Sequence, residues 1–368
     1  MMSDAQGRIK YLDGLRGMAI MLVIFSHYWG SQWMTNLTVI ESVASLRPVR
    51  QGWVGVQLFF LISGFVILMT IERCTSARQF IYKRWLRLFP AMAIATALTV
   101  AFNYSIQPIE KFHNTPWYDA IPGLIFVSPS LLRVIFQIDI DSLHRSFWTL
   151  YVEVGFYIVF GISYFLMGWK RAALLLLVFA VAILSALPIL MRLGVSGVGL
   201  RLVEPFDWLG IKFYLWFASG IFFAKAKSQS STPLFMLAIL TGLAAALLVS
   251  PFPIPLTWDD RYPMIAALVF FAVAQRWQVL QAMLEWRPLL LIGAVSYPLY
   301  LIHETIGFGL LVLLKRTLPQ IPNELLPIPI VALMIGVAYW ITRRAEPELR
   351  AFLERRLRRH RLTATNTA

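Results

Sequence analysis

Charge is scarce in this sequence and cysteine is almost absent. Asp, Glu, Lys and Arg make up 14% of the 368 residues, against about 25% in soluble domains. Hydrophobic residues fill the gap at 58%. That is more apolar surface than one aqueous core can bury, which excludes an ordinary soluble globular protein and makes lipid the expected solvent. Cys74 is the only cysteine, so an intramolecular disulfide and a cysteine-based metal site are both excluded, and no metal centre is expected. Acidic residues are the scarcer charged class, 19 against 33 Lys and Arg, which leaves a net charge of +14. Nucleic acid would accept such a balance. The basic residues, however, cluster between apolar runs, the pattern of loops facing an anionic cytoplasmic leaflet, so the expected partner is the bilayer and not nucleic acid. A cleavable signal is not expected either. Asp13 and Arg16 precede the first apolar run, and no small-x-small site follows it before Ser31.

What is present is a series of apolar runs near the length of about 20 residues that crosses a bilayer. Ten are placed at roughly 12–30, 53–72, 88–106, 148–168, 172–191, 208–224, 232–250, 262–275, 289–309 and 327–342. The expected fold class is therefore all-α: a polytopic membrane protein of about ten transmembrane helices. An even number puts both termini on one side, and the basic turns at Lys170/Arg171 and Lys225/Lys227 assign that side to the cytoplasm. The expected organisation is a transmembrane domain over residues 1–342 and a basic cytoplasmic tail over 343–368. Eight arginines between Arg343 and Arg361 suggest a basic helix on the membrane surface. No second soluble domain and no internal repeat is expected. Two longer outer loops, about 31–52 and 107–147, remain. The second carries His113, Trp117, Asp139, Asp141, His144 and Arg145, and suits acceptor binding or plain solvation. Trp29, Trp33, Trp53, Trp117 and Trp258 fall at outer boundaries, where interfacial anchoring accounts for most of them.

The first run, YLDGLRGMAIMLVIFSHYWG, carries Asp13, Arg16 and His27. Eleven α-helical steps of about 100° bring Arg16 and His27 to within about 20° of one face, about 16 Å apart along the axis. Asp13 lies three residues before Arg16 on the same stripe. Ionisable groups inside a membrane are costly and usually face a cavity or a partner. This helix is therefore expected to line a polar tunnel from the cytoplasmic face, with Arg16 near the mouth and His27 deep. A lone histidine on an apolar face ordinarily packs against a backbone carbonyl. Its alignment with Arg16 favours a working role, because an imidazole can take a proton from a hydroxyl near neutral pH.

Five motifs in order resemble the acyltransferase-3 family of membrane acyltransferases. They are Leu12-Asp13-Gly14-Leu15-Arg16-Gly17 with His27 eleven residues after Arg16; GVQLFFLISGFVI (Gly55–Ile67); the basic stretch Phe80–Pro90; FWTLYVEVGFY (Phe147–Tyr157); and SYPLYLIH (Ser296–His303). The resemblance covers residues 9 to about 342. It departs at Lys83, which stands where an arginine is common and loses guanidinium geometry. The resemblance implies transfer of an acyl group, acetyl first among the candidates, from cytoplasmic acyl-CoA to a hydroxyl of a glycan or lipid-linked sugar at the extracytoplasmic side of a bacterial inner membrane. Acyl-CoA would be a co-substrate, with no permanently bound cofactor. The resemblance also implies His27 and Arg16 as catalytic-site residues, with Arg84, Arg87 and Glu153 involved.

Physical chemistry suggests roles for these groups. Arg84 and Arg87, three apart on a helix, with Lys83 beside them, suit the phosphates of CoA. Glu153, five residues after Trp148, is expected at a depth similar to His27. There it would orient the imidazole, stabilise its imidazolium, bind an acceptor hydroxyl, or pair with an arginine. Tyr300 and His303 share a face and form either a second polar wall or a helix–helix hydrogen bond. Asp13 and Trp148 complete the expected binding residues. The competing reading is a transporter or flippase for a lipid-linked glycan, which also tolerates intramembrane charge; turnover of acyl-CoA separates the two.

Overall fold

The computed structural model describes residues 9–30, 46–105, 116–192, 209–250 and 257–365, and among them all regular structure is helical. Trp33 and His113 lie outside the described residues. The principal helices are α1 (Lys10–Phe25), α2 (Gly55–Ile71), α3 (Ala77–Ser105), α4 (Trp148–Arg192), α5 (Tyr214–Gln229), α6 (Thr232–Leu248), α7 (Trp258–Ala274), α8 (Arg287–Ile302), α9 (Thr305–Thr317), α10 (Pro327–Trp340) and α11 (Glu346–Thr365). A π turn, Ser26–Gly30, extends α1, and another, Ile341–Ala345, joins α10 to α11. The helical path is thus continuous across residues 342 and 343.

Each of the ten predicted segments falls on a helix. Four helical stretches are long and apolar enough to cross a membrane by themselves, and up to seven spans result if each bent pair counts as one. Lipid-facing character is plain on the outside of the bundle. Leu166 and Leu174 on α4, Leu240 on α6 and Leu333 on α10 are exposed, and no aqueous protein presents so continuous an apolar belt. In contrast, every residue of α5 from Tyr214 to Ala224 is buried. A helix that is apolar all round belongs at the centre of such a bundle. The chain is an integral membrane protein.

The basic stretch Phe80–Pro90 forms the first turns of α3, which starts at Ala77, so Arg84 and Arg87 sit on a helix, as their spacing suggests. Asp259, Asp260 and Arg261 belong to the first turn of α7. Thr257 and Asp260 form a capping box there, with Thr257 Oγ1 donating to Asp260 Oδ2 at 2.6 Å. The outer loop 107–147 contains two short helices, Trp117–Ile125 and Pro129–Phe136, bent by 105°. Gly168 breaks α4 at φ 79° and ψ 165°, a conformation open essentially to glycine alone.

The ninth predicted segment is not one helix. It breaks after Ile302, and α9 leaves α8 at 75°. The cause is a competing hydrogen bond: the Tyr28 hydroxyl donates to the His303 carbonyl at 2.5 Å, and the backbone ladder restarts with Phe308 N donating to Glu304 O at 2.9 Å. A side chain inserted into the ladder is a recognised cause of helix bending.

Small residues let α1 and α8 touch backbone to backbone. A Cβ on Gly293 would collide with the Asp13 carbonyl oxygen, and one on Gly17 with that of Leu289. The contacts 13 with 293 and 27 with 303 show that these two helices run in the same direction. Gly293→Ala is expected to lower stability by about 1–3 kcal/mol through overpacking. Gly336→Ala on α10, where a Cβ meets nothing, is the neutral-to-stabilising control. Thermal unfolding in detergent compares them, and equal midpoints for the two variants would remove the close-packing argument.

The bundle has two distinct ends. At one, Tyr11 donates to Gln275 Oε1 at 2.7 Å, Lys225 pairs with Glu72, and Lys227 lies over the Tyr11 ring. At the other, Trp29 Nε1 donates to the Glu324 carbonyl at 2.9 Å, and His27 meets His303.

Candidate active site

Two polar clusters lie within the bundle, the second of them at the Trp29 end. The first is a chamber of about 90 Å³ bordered by α1, α2, α3, α4 and α8. Three guanidiniums line it: Arg16, Arg84 and Arg87. Arg16 donates to Asp13 Oδ1 at 2.8 Å, so Asp13 stands behind Arg16 and does not itself line the chamber. Arg84 lies over the rings of Phe80 and Tyr157 at 5.8 and 5.7 Å and donates through Nη2 to Thr70 Oγ1. Its Nε is buried with no hydrogen-bond partner among the described residues.

Glu153 belongs to this arginine chamber. Ser63 Oγ donates to its Oε1 at 2.6 Å, and the Tyr157 hydroxyl donates to the same oxygen. The hydrogen-bond partners of Glu153 among the described residues are Ser63 and Tyr157, and the guanidiniums of the same chamber correspond to the arginine alternative among its expected roles. Thr149, Glu153 and Tyr157 all line the chamber, four residues apart on one face of α4. That spacing was a signal available in the sequence for Thr149 and Tyr157. Ser63 and Thr70 gave no such signal.

Two other expected residues are elsewhere. Trp148 is five residues from Glu153, about 140° around the helix; its ring packs on Phe60 and Phe213 and is not part of the chamber wall. Lys83 points to Cys74, with Nζ 3.7 Å from Sγ, and is likewise absent from the wall. Arg16 and Tyr300 both border the chamber, and Arg87, which also borders it, is exposed, so the space communicates with the protein surface. The rings of Phe59 and Tyr300, 6.2 Å apart, both border the chamber.

The second cluster is built on His27 and His303. Their rings stack with centroids 5.1 Å apart and planes at 15°. His27 Nδ1 is 3.0 Å from His303 Nε2, and His303 Nδ1 is 2.7 Å from the Tyr300 carbonyl oxygen. A carbonyl only accepts, so His303 Nδ1 carries hydrogen in the neutral ring. Its Nε2 then accepts, and His27 Nδ1 donates. This assignment from bond partners leaves the lone pair of His27 on Nε2. His303 is fully buried and His27 is half-buried. His303 therefore fixes the tautomer of His27, a role that recurs wherever an imidazole must act as a base.

Tyr300 joins the clusters. Its ring lines the chamber, its carbonyl holds His303, its hydroxyl donates to the Ser146 carbonyl at 2.9 Å, and Thr149 Oγ1 donates to it at 2.9 Å. Beside them, Ser146 N donates to Glu304 Oε2 at 2.6 Å. Ser146 and Tyr28 have no motif-like signature in the sequence.

An apolar helical bundle that buries an arginine chamber and a tautomer-fixed histidine pair has the parts of a membrane-embedded group-transfer enzyme. Residues 9–343 match the acyltransferase domain that defines the acyltransferase-3 family, and the chain belongs to that family. It is 27% identical over 323 residues to O-acetyltransferase OatA of Staphylococcus aureus, covering 80% of this chain and 50% of that protein. Nodulation protein 10 of Rhizobium leguminosarum bv. viciae is 29% identical over 204 residues, 50% of this chain and 51% of the relative. Acyltransferase MdmB of Streptomyces mycarofaciens is 25% identical over 157 residues, 43% and 39% of the two chains. The chain spans about half the length of these relatives or less. No solved structure matches it.

Proposed function

We propose that this acyltransferase moves an acyl group, acetyl first among the candidates, from acyl-CoA to a hydroxyl of a glycan, lipid-linked sugar or other glycosylated acceptor. The observation that carries the reading is the hydrogen-bonded order Tyr300 carbonyl, His303, His27, which leaves His27 Nε2 as a base. In this reading the donor phosphates bind near Arg84 and Arg87, and Arg16 holds charge at the chamber wall. The acceptor hydroxyl gives its proton to His27 Nε2, and its oxygen attacks the thioester carbonyl. The C–S bond breaks, and the proton passes to the leaving sulfur. A stepwise version makes His27 a transient acyl carrier.

The proposed placement is a bacterial inner membrane, with ten crossings and both termini cytoplasmic. The gathering of Tyr11, Glu72, Lys225, Lys227 and Gln275 at one end of the bundle supports this orientation, because basic turns favour the cytoplasmic face. His27 then sits toward the outer face, where a surface glycan is available.

The test supplies acyl-labelled acetyl-CoA to inverted and to sealed right-side-out vesicles and follows label into the glycan and lipid fractions. Transfer in the inverted preparation alone is expected. Transfer only in right-side-out vesicles would overturn the donor side, and failure of the purified, folded protein to consume any acyl-CoA in the presence of membrane glycans would overturn the donor class. Quenching during turnover separates the two chemistries: labelled protein that is absent in His27→Ala indicates the acyl-carrier route, and unlabelled protein during active transfer indicates direct attack.

A further inference from the structure

Glu304 was not among the expected site residues, yet the structure sets it beside the histidine pair. It follows His303 directly, at the break between α8 and α9. Its backbone carbonyl anchors Phe308, whose ring lies 6.3 Å from that of His27. Its Oε2 is pinned by the Ser146 N–H at 2.6 Å. Among the described residues no Lys or Arg forms an ion pair with Glu304. Ser146 ties it to the cluster, because the Ser146 carbonyl accepts from the Tyr300 hydroxyl at 2.9 Å. Other buried or half-buried carboxylates among the described residues are committed elsewhere, Asp13 to Arg16, Glu153 to Ser63 and Tyr157, and Asp119 to the Asp141 N–H. His144, which hydrogen-bonds Thr99 at 2.9 Å, offers no negative charge.

We infer that Glu304 is a positioning residue for the transfer, its carboxylate providing the negative charge against which the His27–His303 pair holds a proton. The inference rests on the reading of His27 as the base. When His27 Nε2 takes the acceptor proton, the stacked pair gains a positive charge inside an apolar bundle, where an unpaired charge is costly. Glu304 is the carboxylate placed to offset it. It takes no proton itself. The proton travels from acceptor oxygen to His27 Nε2 and then to the leaving sulfur.

The two functions of the side chain separate cleanly. Glu304→Gln keeps an oxygen to accept the Ser146 N–H and loses only the charge. In detergent-purified protein with acetyl-CoA as donor, Glu304→Gln is expected to lower kcat by about 10- to 100-fold, the range for groups that act on a histidine through its surroundings. KM for acetyl-CoA should stay within about twofold, as for an interaction made only in the transition state. Glu304→Asp should regain part of kcat, and Glu304→Ala should not. Wild-type kcat in Glu304→Gln would overturn the inference, as would joint loss of kcat, KM and thermal stability with no rescue by Asp. His27→Ala run in parallel keeps the two ideas apart. Retained transfer in that variant sinks the His27 reading whatever Glu304 does, whereas an inactive His27→Ala beside a fully active Glu304→Gln sinks the role of Glu304 alone.

Discussion

His27→Ala is expected to reduce acyl transfer by about 10²- to 10⁴-fold, the contribution of a positioned general base. The fold should survive. His27 is half-buried and its side chain makes one hydrogen bond, to a His303 ring that keeps its bond to the Tyr300 carbonyl. The variant therefore removes the base and leaves the chamber, so KM for the acyl donor should change little while kcat collapses. His303→Ala makes a graded comparison. It keeps the base but frees its tautomer, and should lose less than His27→Ala. The measurement is initial rate against donor concentration at matched amounts of folded protein. A His27→Ala rate within threefold of wild type, with folding confirmed, would remove the imidazole from the mechanism. An unfolded His27→Ala protein is tested again as His27→Gln, which keeps a polar side chain of similar reach without a ring base.

Arg84→Ala is expected to have the next largest effect, acting on donor affinity and not on the chemical step. Arg84 is half-buried and borders the chamber, its Nη2 is used by Thr70, and its Nε has no partner among the described residues. A hydrogen bond to a charged group contributes about 1.5–3 kcal/mol, which corresponds to about a 10- to 150-fold rise in KM for acyl-CoA. Lysine should rescue poorly. It keeps the charge but loses the planar fork and the stacking over Phe80 and Tyr157. Arg87 is the useful comparison, because Glu346 of α11 already acts on it through space, so part of its charge is committed within the protein. An unchanged KM in Arg84→Ala, with kcat also unchanged, would take Arg84 out of donor binding and leave it as a strut between α2 and α3.

The class of protein was legible because composition reports the solvent. A chain with 58% hydrophobic and 14% charged residues has to satisfy its backbone inside helices in lipid, and the runs of about 20 apolar residues located those helices whatever their neighbours. Arg16 was legible for a related reason: charge in an apolar run is too costly to be incidental; Arg84 and Arg87 were legible from the basic motif and its helical spacing. Which residue meets which was not legible. Glu153 looked like the partner of His27 when depth was estimated along isolated helices, and the actual partner, His303, lies 276 residues away in the chain. That pairing depends on α1 and α8 approaching closely through Gly17 and Gly293, on the π turn at Ser26–Gly30, and on the Tyr28 hydroxyl that ends α8. The sequence by itself determined the solvent, the helices and the faces that carry charge, because those follow from local composition and periodicity. The tertiary structure alone decided the pairing of charges and the tautomer of His27, because hydrogen bonds of about 3 Å depend on how whole helices pack.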